Sequence, residues 1–357
     1  MNKNSGNNLV ADELVIGITM GDPGGIGPEI VVKALADPFV RRQAKFIVFG
    51  MDEQLEYAAD AAEIEPYWIR HQHEKISGSY PRNVVVADYD EYPVPSWLRG
   101  PGKIAGEASI RFCLDAIDAA RDDIIDAVVT APISKSSWKL AGANWPGHTE
   151  MLAERCKSPR KIMMFVAGPL KLALATIHQA LFDVRNTFTI GRVFEPIDLL
   201  NTALKDYFGV ARPKIGVAAL NPHAGENGQF GDEEIRIISP AILMAQEVGI
   251  NCCGPYPADT LFVRAADGEF DGVVAMYHDQ GLIPVKLLAF NEAVNVTIGI
   301  PIIRTSPCHG TAFDIAGKGV ANPASMKAAI RVAIEMAGVK RLKNPRVKST
   351  DANKTTH

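Results

Sequence analysis

No stretch of this 357-residue chain supplies the roughly 20 consecutive apolar residues that a membrane-spanning helix needs. Nor does it carry an excess of charge: 37 basic and 41 acidic side chains leave a net charge of −4. That balance gives no general attraction to nucleic acid or to anionic lipid, although a local basic pocket for a small anion stays open. Cysteine is scarce, and Cys113, Cys156, Cys252, Cys253 and Cys308 form no CxxC spacing. A disulfide frame and a structural zinc site are therefore both excluded, and reduced thiols in the cytoplasm are expected. The first thirteen residues contain no apolar h-region, so they are expected to be a flexible polar tail (1–13) rather than a secretory signal, with a second tail at 346–357.

What the chain does have is alternation. LVIGITM (14–20), KFIVFG (45–50), DAVVTAP (126–132) and KIGVAALN are short buried runs of strand character. Between several of them lie segments of helical period, such as 104–121, 233–248 and 324–342. Such alternation predicts an α/β protein with largely parallel sheets. No linker or low-complexity run marks a boundary. Two α/β units are expected, 14–140 plus 309–345 and 141–308, with the C-terminal helix returning to the first and the cleft between them.

Three of the apolar runs end in histidine: LALATIH at His178, IGVAALNPH at His223 and GVVAMYH at His278. Ligand crevices in α/β sheets lie beyond the carboxyl ends of the strands. Imidazoles delivered there by three strands are candidate ligands for one divalent metal with an open coordination position. Asp279 follows His278 and is placed to support that ligand or hold a water.

Other segments suit anion binding. WPGHTEML sets His148 and Thr149 at a helix start, where free N–H groups favour phosphate or carboxylate. Lys286, Asn295 and Arg304 follow apolar strands and can clamp an anion, Arg304 in bidentate fashion. GDPGGIGPEI is not a dinucleotide fingerprint, because Ile30 stands where the third glycine belongs. It is a tight strand-to-helix turn or a loop lining the cleft.

HGTAFDIAGKGVANP (309–323) resembles the cofactor loop of the isopropylmalate and isocitrate dehydrogenases. That resemblance implies that His309, Gly310, Thr311, Asp314, Ile315 and Asn322 bind a nicotinamide dinucleotide. The Asp314 carboxylate can accept hydrogen bonds from the ribose hydroxyls and repels a 2′-phosphate, so NAD is expected over NADP.

Together TMGDPGGIGPE, TAPISK, PGHTEML, NPHAGENG, GPYPADTLF, MYHDQG, VNVTIGIPIIRTS and HGTAFDIAGKG resemble the 4-hydroxythreonine-4-phosphate dehydrogenase family of the vitamin B6 pathway. The resemblance spans about Val15 to Ala337. It implies a two-domain α/β/α homodimer related to the isopropylmalate dehydrogenases. His178, His223 and His278 match metal ligands drawn from both subunits; His148, Thr149, Lys286, Asn295 and Arg304 match substrate contacts. The metal would be zinc, magnesium, manganese or cobalt. The reaction implied is NAD-dependent oxidation of 4-phosphooxy-L-threonine with decarboxylation to 3-amino-2-oxopropyl phosphate. Lys286, Asp279 and Asp259 are the candidates for the general base. The long polar N-terminus, GDEE after NPHAGENG, and IPVKLLAF after YHDQGL look closer to paralogues acting on threonate or erythronate 4-phosphate. Relatives acting on cis-dihydrodiol dicarboxylates form a third possibility.

Overall fold

The computed structural model describes residues 13–76, 80 and 83–344, so the two expected tails, Glu13 apart, lie outside the described residues. Twelve strands form one continuous sheet. In chain order they are β1 (Val15–Thr19), β2 (Lys45–Gly50), β3 (Ile69–Gln72), β4 (Val84–Asp88), β5 (Ala127–Thr130), β6 (Ile162–Ala167), β7 (Leu170–Leu174), β8 (Ile215–Ala218), β9 (Cys252–Tyr256), β10 (Gly272–Ala275), β11 (Val294–Ile298) and β12 (Arg304–Pro307). Their order across the sheet is β3-β4-β2-β1-β5-β12-β11-β6-β7-β10-β8-β9. Eight neighbouring pairs are parallel and three antiparallel, which makes the α/β architecture largely parallel, as expected.

The three antiparallel pairings fall together in the middle. β11 runs against both β12 and β6, and β6 runs against β7. Two parallel blocks of opposite direction, β3 to β12 and β7 to β9, are thereby joined through β11 and β6. The sheet passes unbroken across the expected boundary, since β12 pairs in parallel with β5.

Helices cover both faces, so β1, β4, β5, β8 and β10 are buried at every position and read as nearly continuous apolar runs, with polar residues only at the ends of β1, β4 and β5, rather than as alternations. The helix Gly27–Ala36 starts with Pro28 in its first turn, where the missing N–H costs nothing. Helix Lys135–Leu140 is capped by Ser134, whose hydroxyl accepts from the Ser137 N–H at 3.1 Å. Helix Ile190–Phe208 ends on Gly209 at φ 70°, the left-handed closure that glycine allows. Among the described residues no helix is long and apolar enough to cross a membrane. One large apolar cluster fills the block around β1 and runs under helix Ala324–Lys343. A second is built on Leu170, Leu172 and Leu174 of β7, Val273 of β10, and Leu261 and Val285 of the covering helices.

Candidate active site

A cleft of about 490 Å³ opens where the antiparallel strands meet the carboxyl ends of β5 and β12. Its most unusual wall residue is Arg304, at the start of β12 and 3% exposed. Nε and Nη2 donate to the Thr130 hydroxyl at 3.1 and 2.7 Å, and Nη1 donates to that of Thr297 at 3.1 Å. Burial pushes its pKa down to about 10, with partial relief from Cys113 and Cys308. Among the described residues this buried cation is held by hydroxyls and no carboxylate, so its charge is suited to an anionic ligand.

Two buried polar atoms in the same cleft have no hydrogen-bond partner among the described residues: Nε2 of His148 and Oδ1 of Asn295. His148 opens helix His148–Arg155, and its ring meets the buried Trp138 edge-on at 5.5 Å between centroids. Burial, then the charge of Arg304, holds the His148 pKa well below the ordinary histidine value. The ring is therefore a neutral hydrogen-bonding group at pH 7. Thr149 follows in the first turn and also lines the cleft. His148, Thr149, Asn295 and Arg304 are thus brought to one cavity.

The histidines divide two and one. His178 follows β7 and lines the cleft, whereas His278 starts the helix His278–Ala289 after β10. That helix rides close on β7 because Gly281 has no side chain; a Cβ there would stand 2.6 Å from Leu172 and 2.7 Å from Leu174. The His178 and His278 rings consequently lie 5.7 Å apart between centroids. Burial, then Lys135 and His278, lowers the His178 pKa against the opposing pull of Glu150, which favours the neutral, metal-ligating ring. Asp279 Oδ1 sits 2.7 Å from His278 Nδ1 and leaves Nε2 free to point elsewhere.

His223 does not join them. Its ring packs near Phe230, at 6.2 Å. Among the described residues no group of three or more His, Cys, Asp or Glu is arranged to hold a metal ion. One chain alone therefore does not assemble the expected triad. The loop carrying His223 is strained: His223, Ala224, Gly225, Glu226 and Asn227 all take left-handed backbone angles, with φ between 43° and 77°. Each non-glycine residue there costs roughly 1–2 kcal/mol. The buried Glu234 over-determines this shape, with Oε1 accepting from the Leu220 and Asn221 N–H groups at 2.8 Å and Oε2 from Asn221 Nδ2 at 2.9 Å.

The candidate bases are dispersed. Lys286 reaches the carbonyl of Cys308 at 3.2 Å, behind the cleft-lining Pro307 and His309. Asp259 and Asp279 line a different hollow of about 530 Å³, an apolar groove between helices Ala258–Ala266 and His278–Ala289. Val263, Ile283 and Leu287 are exposed along it. In the 309–322 loop, His309 and Gly310 line the cleft, Thr311 packs on Gly25, Asp314 is exposed and Ile315 half-buried. Asn322 lies just before the last helix, its Oδ1 accepting from the Ala324 N–H at 2.9 Å. Lys135, Glu150, Thr130 and Ser306 also line the cleft and were not foreseen as site residues, although the TAPISK run contains two of them.

The sequence pattern of the family described as "Pyridoxal phosphate biosynthetic protein PdxA" matches residues 42–333. The chain is 44% identical over 329 residues to a 4-hydroxythreonine-4-phosphate dehydrogenase of Desulforapulum autotrophicum, covering 91% of this chain and 96% of that one. It is 43% identical over 326 residues to a D-threonate 4-phosphate dehydrogenase of Cupriavidus necator, covering 90% and 97%. The crystal structure of a 4-hydroxythreonine-4-phosphate dehydrogenase from Klebsiella pneumoniae superposes with a TM-score of 0.82 at 37% identity, covering 91% and 99%.

Proposed function

The chain belongs to the PdxA family of dehydrogenases, and from that premise we propose that it oxidises the hydroxyl of 4-phosphooxy-L-threonine with NAD and a divalent metal ion, releasing carbon dioxide and 3-amino-2-oxopropyl phosphate. The observation that carries this reading is the buried Arg304 guanidinium, which among the described residues has no carboxylate partner, beside His148 Nε2 and Asn295 Oδ1, which have no partner among them either. Such a pocket suits a small anion bearing further hydrogen-bonding groups.

In this reading Arg304 and the neutral His148 grip anionic oxygens, Thr149 adds a hydroxyl, and Asn295 offers its carbonyl oxygen to a donor on the substrate. His178 and His278 of one subunit, with the histidine at position 223 of a second copy, would hold the metal ion, and Asp279 would orient His278. The donor set of neutral imidazoles suits zinc or cobalt, and fits manganese and magnesium, which favour oxygen ligands, less well. A divalent ion bound there would supply Lewis acidity toward the substrate's oxygens, favouring loss of the hydroxyl proton and of carbon dioxide. NAD, held by the 309–322 loop, supplies the hydride acceptor. Proton removal is assigned to Lys286, whose ammonium nitrogen reaches the Cys308 carbonyl just behind the cleft-lining Pro307 and His309. Asp259, on the apolar groove, takes no part in it.

Two features support a homodimer. The third imidazole stands apart from the other two, and the apolar groove with its exposed Val263, Ile283 and Leu287 has a composition that favours burial against another subunit.

A second reading, D-threonate 4-phosphate as substrate, is favoured by the similar identity, 44% and 43%, to relatives of the two names. Both substrates carry the phosphate and carboxylate that the pocket would grip. NADH formation with each compound in parallel, in the presence of divalent metal, decides between them. A kcat/KM clearly higher for the amino acid supports the first reading, and the reverse order replaces it with the second. No turnover of either compound overturns both.

A further inference from the structure

The glycine series Gly24, Gly25 and Gly27 does not follow a dinucleotide fingerprint, and the structure gives it another task. A Cβ on Gly25 would stand 2.9 Å from the Cβ of Thr311 and 3.0 Å from its carbonyl oxygen. The next N–H, of Ile26, donates to that same carbonyl at 2.9 Å. The turn after β1 is therefore pressed against the entrance of the 309–322 loop.

The exit of that loop is held by the helix this turn begins. Glu29, 2% exposed, accepts the Ala321 N–H on Oε1 at 2.6 Å and Lys33 Nζ on the same oxygen at 2.8 Å. Lys33 Nζ also donates to the carbonyls of Gly319 at 2.7 Å and Ala321 at 3.0 Å. All three protons of the ammonium are thus committed, one to Glu29 and two to the loop backbone. Gly319 can lie there only without a side chain, because it takes φ 68° and its Cβ would meet the Ala61 carbonyl at 2.0 Å.

Between these ties the loop has no helix or strand of its own, and it carries the exposed Asp314. A loop of this length keeps one shape only if something outside it pays the ordering entropy. Glu29 also keeps Oε2 buried, with no partner among the described residues. An apolar side chain would fill the same space without that penalty, so the carboxylate is retained for what Oε1 holds.

We propose that Glu29 and Lys33 are positioning residues for the nicotinamide dinucleotide, acting as one ionic staple that fixes the 309–322 loop in its binding shape. The inference rests on the NAD reading above. It assigns the GPEIVVK segment to cofactor affinity through the loop, with no direct contact to phosphate.

The test compares wild type with Glu29→Gln, Lys33→Met and the double variant. NAD affinity is measured by calorimetry without substrate, hydrogen exchange is followed over residues 309–322, and KM is determined separately for NAD and for the phosphorylated substrate. Each single variant is expected to weaken NAD binding by about tenfold or more and to speed exchange in the loop, with substrate KM within about twofold. The double variant is expected to be no worse than the weaker single one, because both residues serve one staple. NAD affinity equal to wild type, or a parallel loss in both KM values, overturns the staple. Wild-type protein that binds no NAD removes the cofactor reading itself, and the staple with it.

Discussion

The guanidinium of Arg304 rests on the hydroxyl of Thr130, with Nη2 at 2.7 Å and Nε at 3.1 Å. The hydroxyl can accept both bonds but cannot neutralise the charge. Among the described residues the charge stays uncompensated, and this sets opposite expectations for binding and for stability. Replacing Arg304 with Met is expected to lower kcat/KM by about a thousandfold or more, the cost of losing a buried charged contact to an anionic ligand. The apo protein is expected to melt at the same temperature or higher, since an uncompensated buried cation has gone. Inorganic phosphate should raise the melting temperature of wild type and not of the variant. Equal stabilisation of both by phosphate would remove Arg304 from the anion site.

His148 gives the site a pH signature. Burial and Arg304 hold its folded pKa below the unfolded value of about 6.5. Below that pH the unfolded chain takes up a proton that the folded ring refuses. Stability then falls as pH drops from about 6.5 toward the folded pKa, by up to ~1.4 kcal/mol per pH unit from this group. Denaturant unfolding of wild type and His148→Gln at several values between pH 7 and 5 measures the difference. The wild type should lose stability faster than the variant over that window, and parallel curves would show that His148 is protonated in the fold.

The strained loop yields a third expectation. In Glu234→Gln the new amide would set a donor against the Nδ2 donor of Asn221, where Oε2 now accepts at 2.9 Å. The left-handed run from His223 to Asn227 then loses its clamp. A stability loss of about 1–3 kcal/mol is expected. Proteolysis and hydrogen exchange should quicken at 221–231, and zinc affinity should fall while NAD affinity is unchanged. A variant with wild-type zinc affinity would make Glu234 a support of the fold alone.

The parallel strands were legible because burial on both faces leaves unbroken apolar runs, as in VIGIT of β1. β3, reading IRHQ at half-exposed positions, gave no such signal, and β12, reading RTSP, is polar though wholly buried. The antiparallel centre depends on β11 and β6 reversing direction, which no local pattern encodes. In the site, His148, Thr149, Asn295 and Arg304 were visible as polar residues at element ends, and the structure gathers them. Thr130 and Lys135 were hidden because each is a common side chain whose role appears only when β12 is laid beside β5. The same limit applies to Glu29, whose partner Ala321 lies 292 positions away.

The separation of His223 from the pair His178 and His278 leads to the sharpest test of the metal centre. If each centre takes two imidazoles from one subunit and the third from its partner, His178→Ala and His223→Ala should each be inactive alone and bind no zinc tightly. Mixed after mild dissociation and reassociation, they form dimers in which one of the two centres has all three histidines intact, while the other lacks two. With random exchange about half the dimers are mixed, so activity and tightly bound zinc should both recover to about a quarter of wild type. A pair drawn from the same side, His178→Ala with His278→Ala, cannot complement in this way, because both lesions fall in the set that one subunit must supply whole. Recovery from the first mixture and none from the second is the expected pattern. No recovery from either mixture, with exchange verified by mass, would mean that the three histidines do not share a centre across subunits.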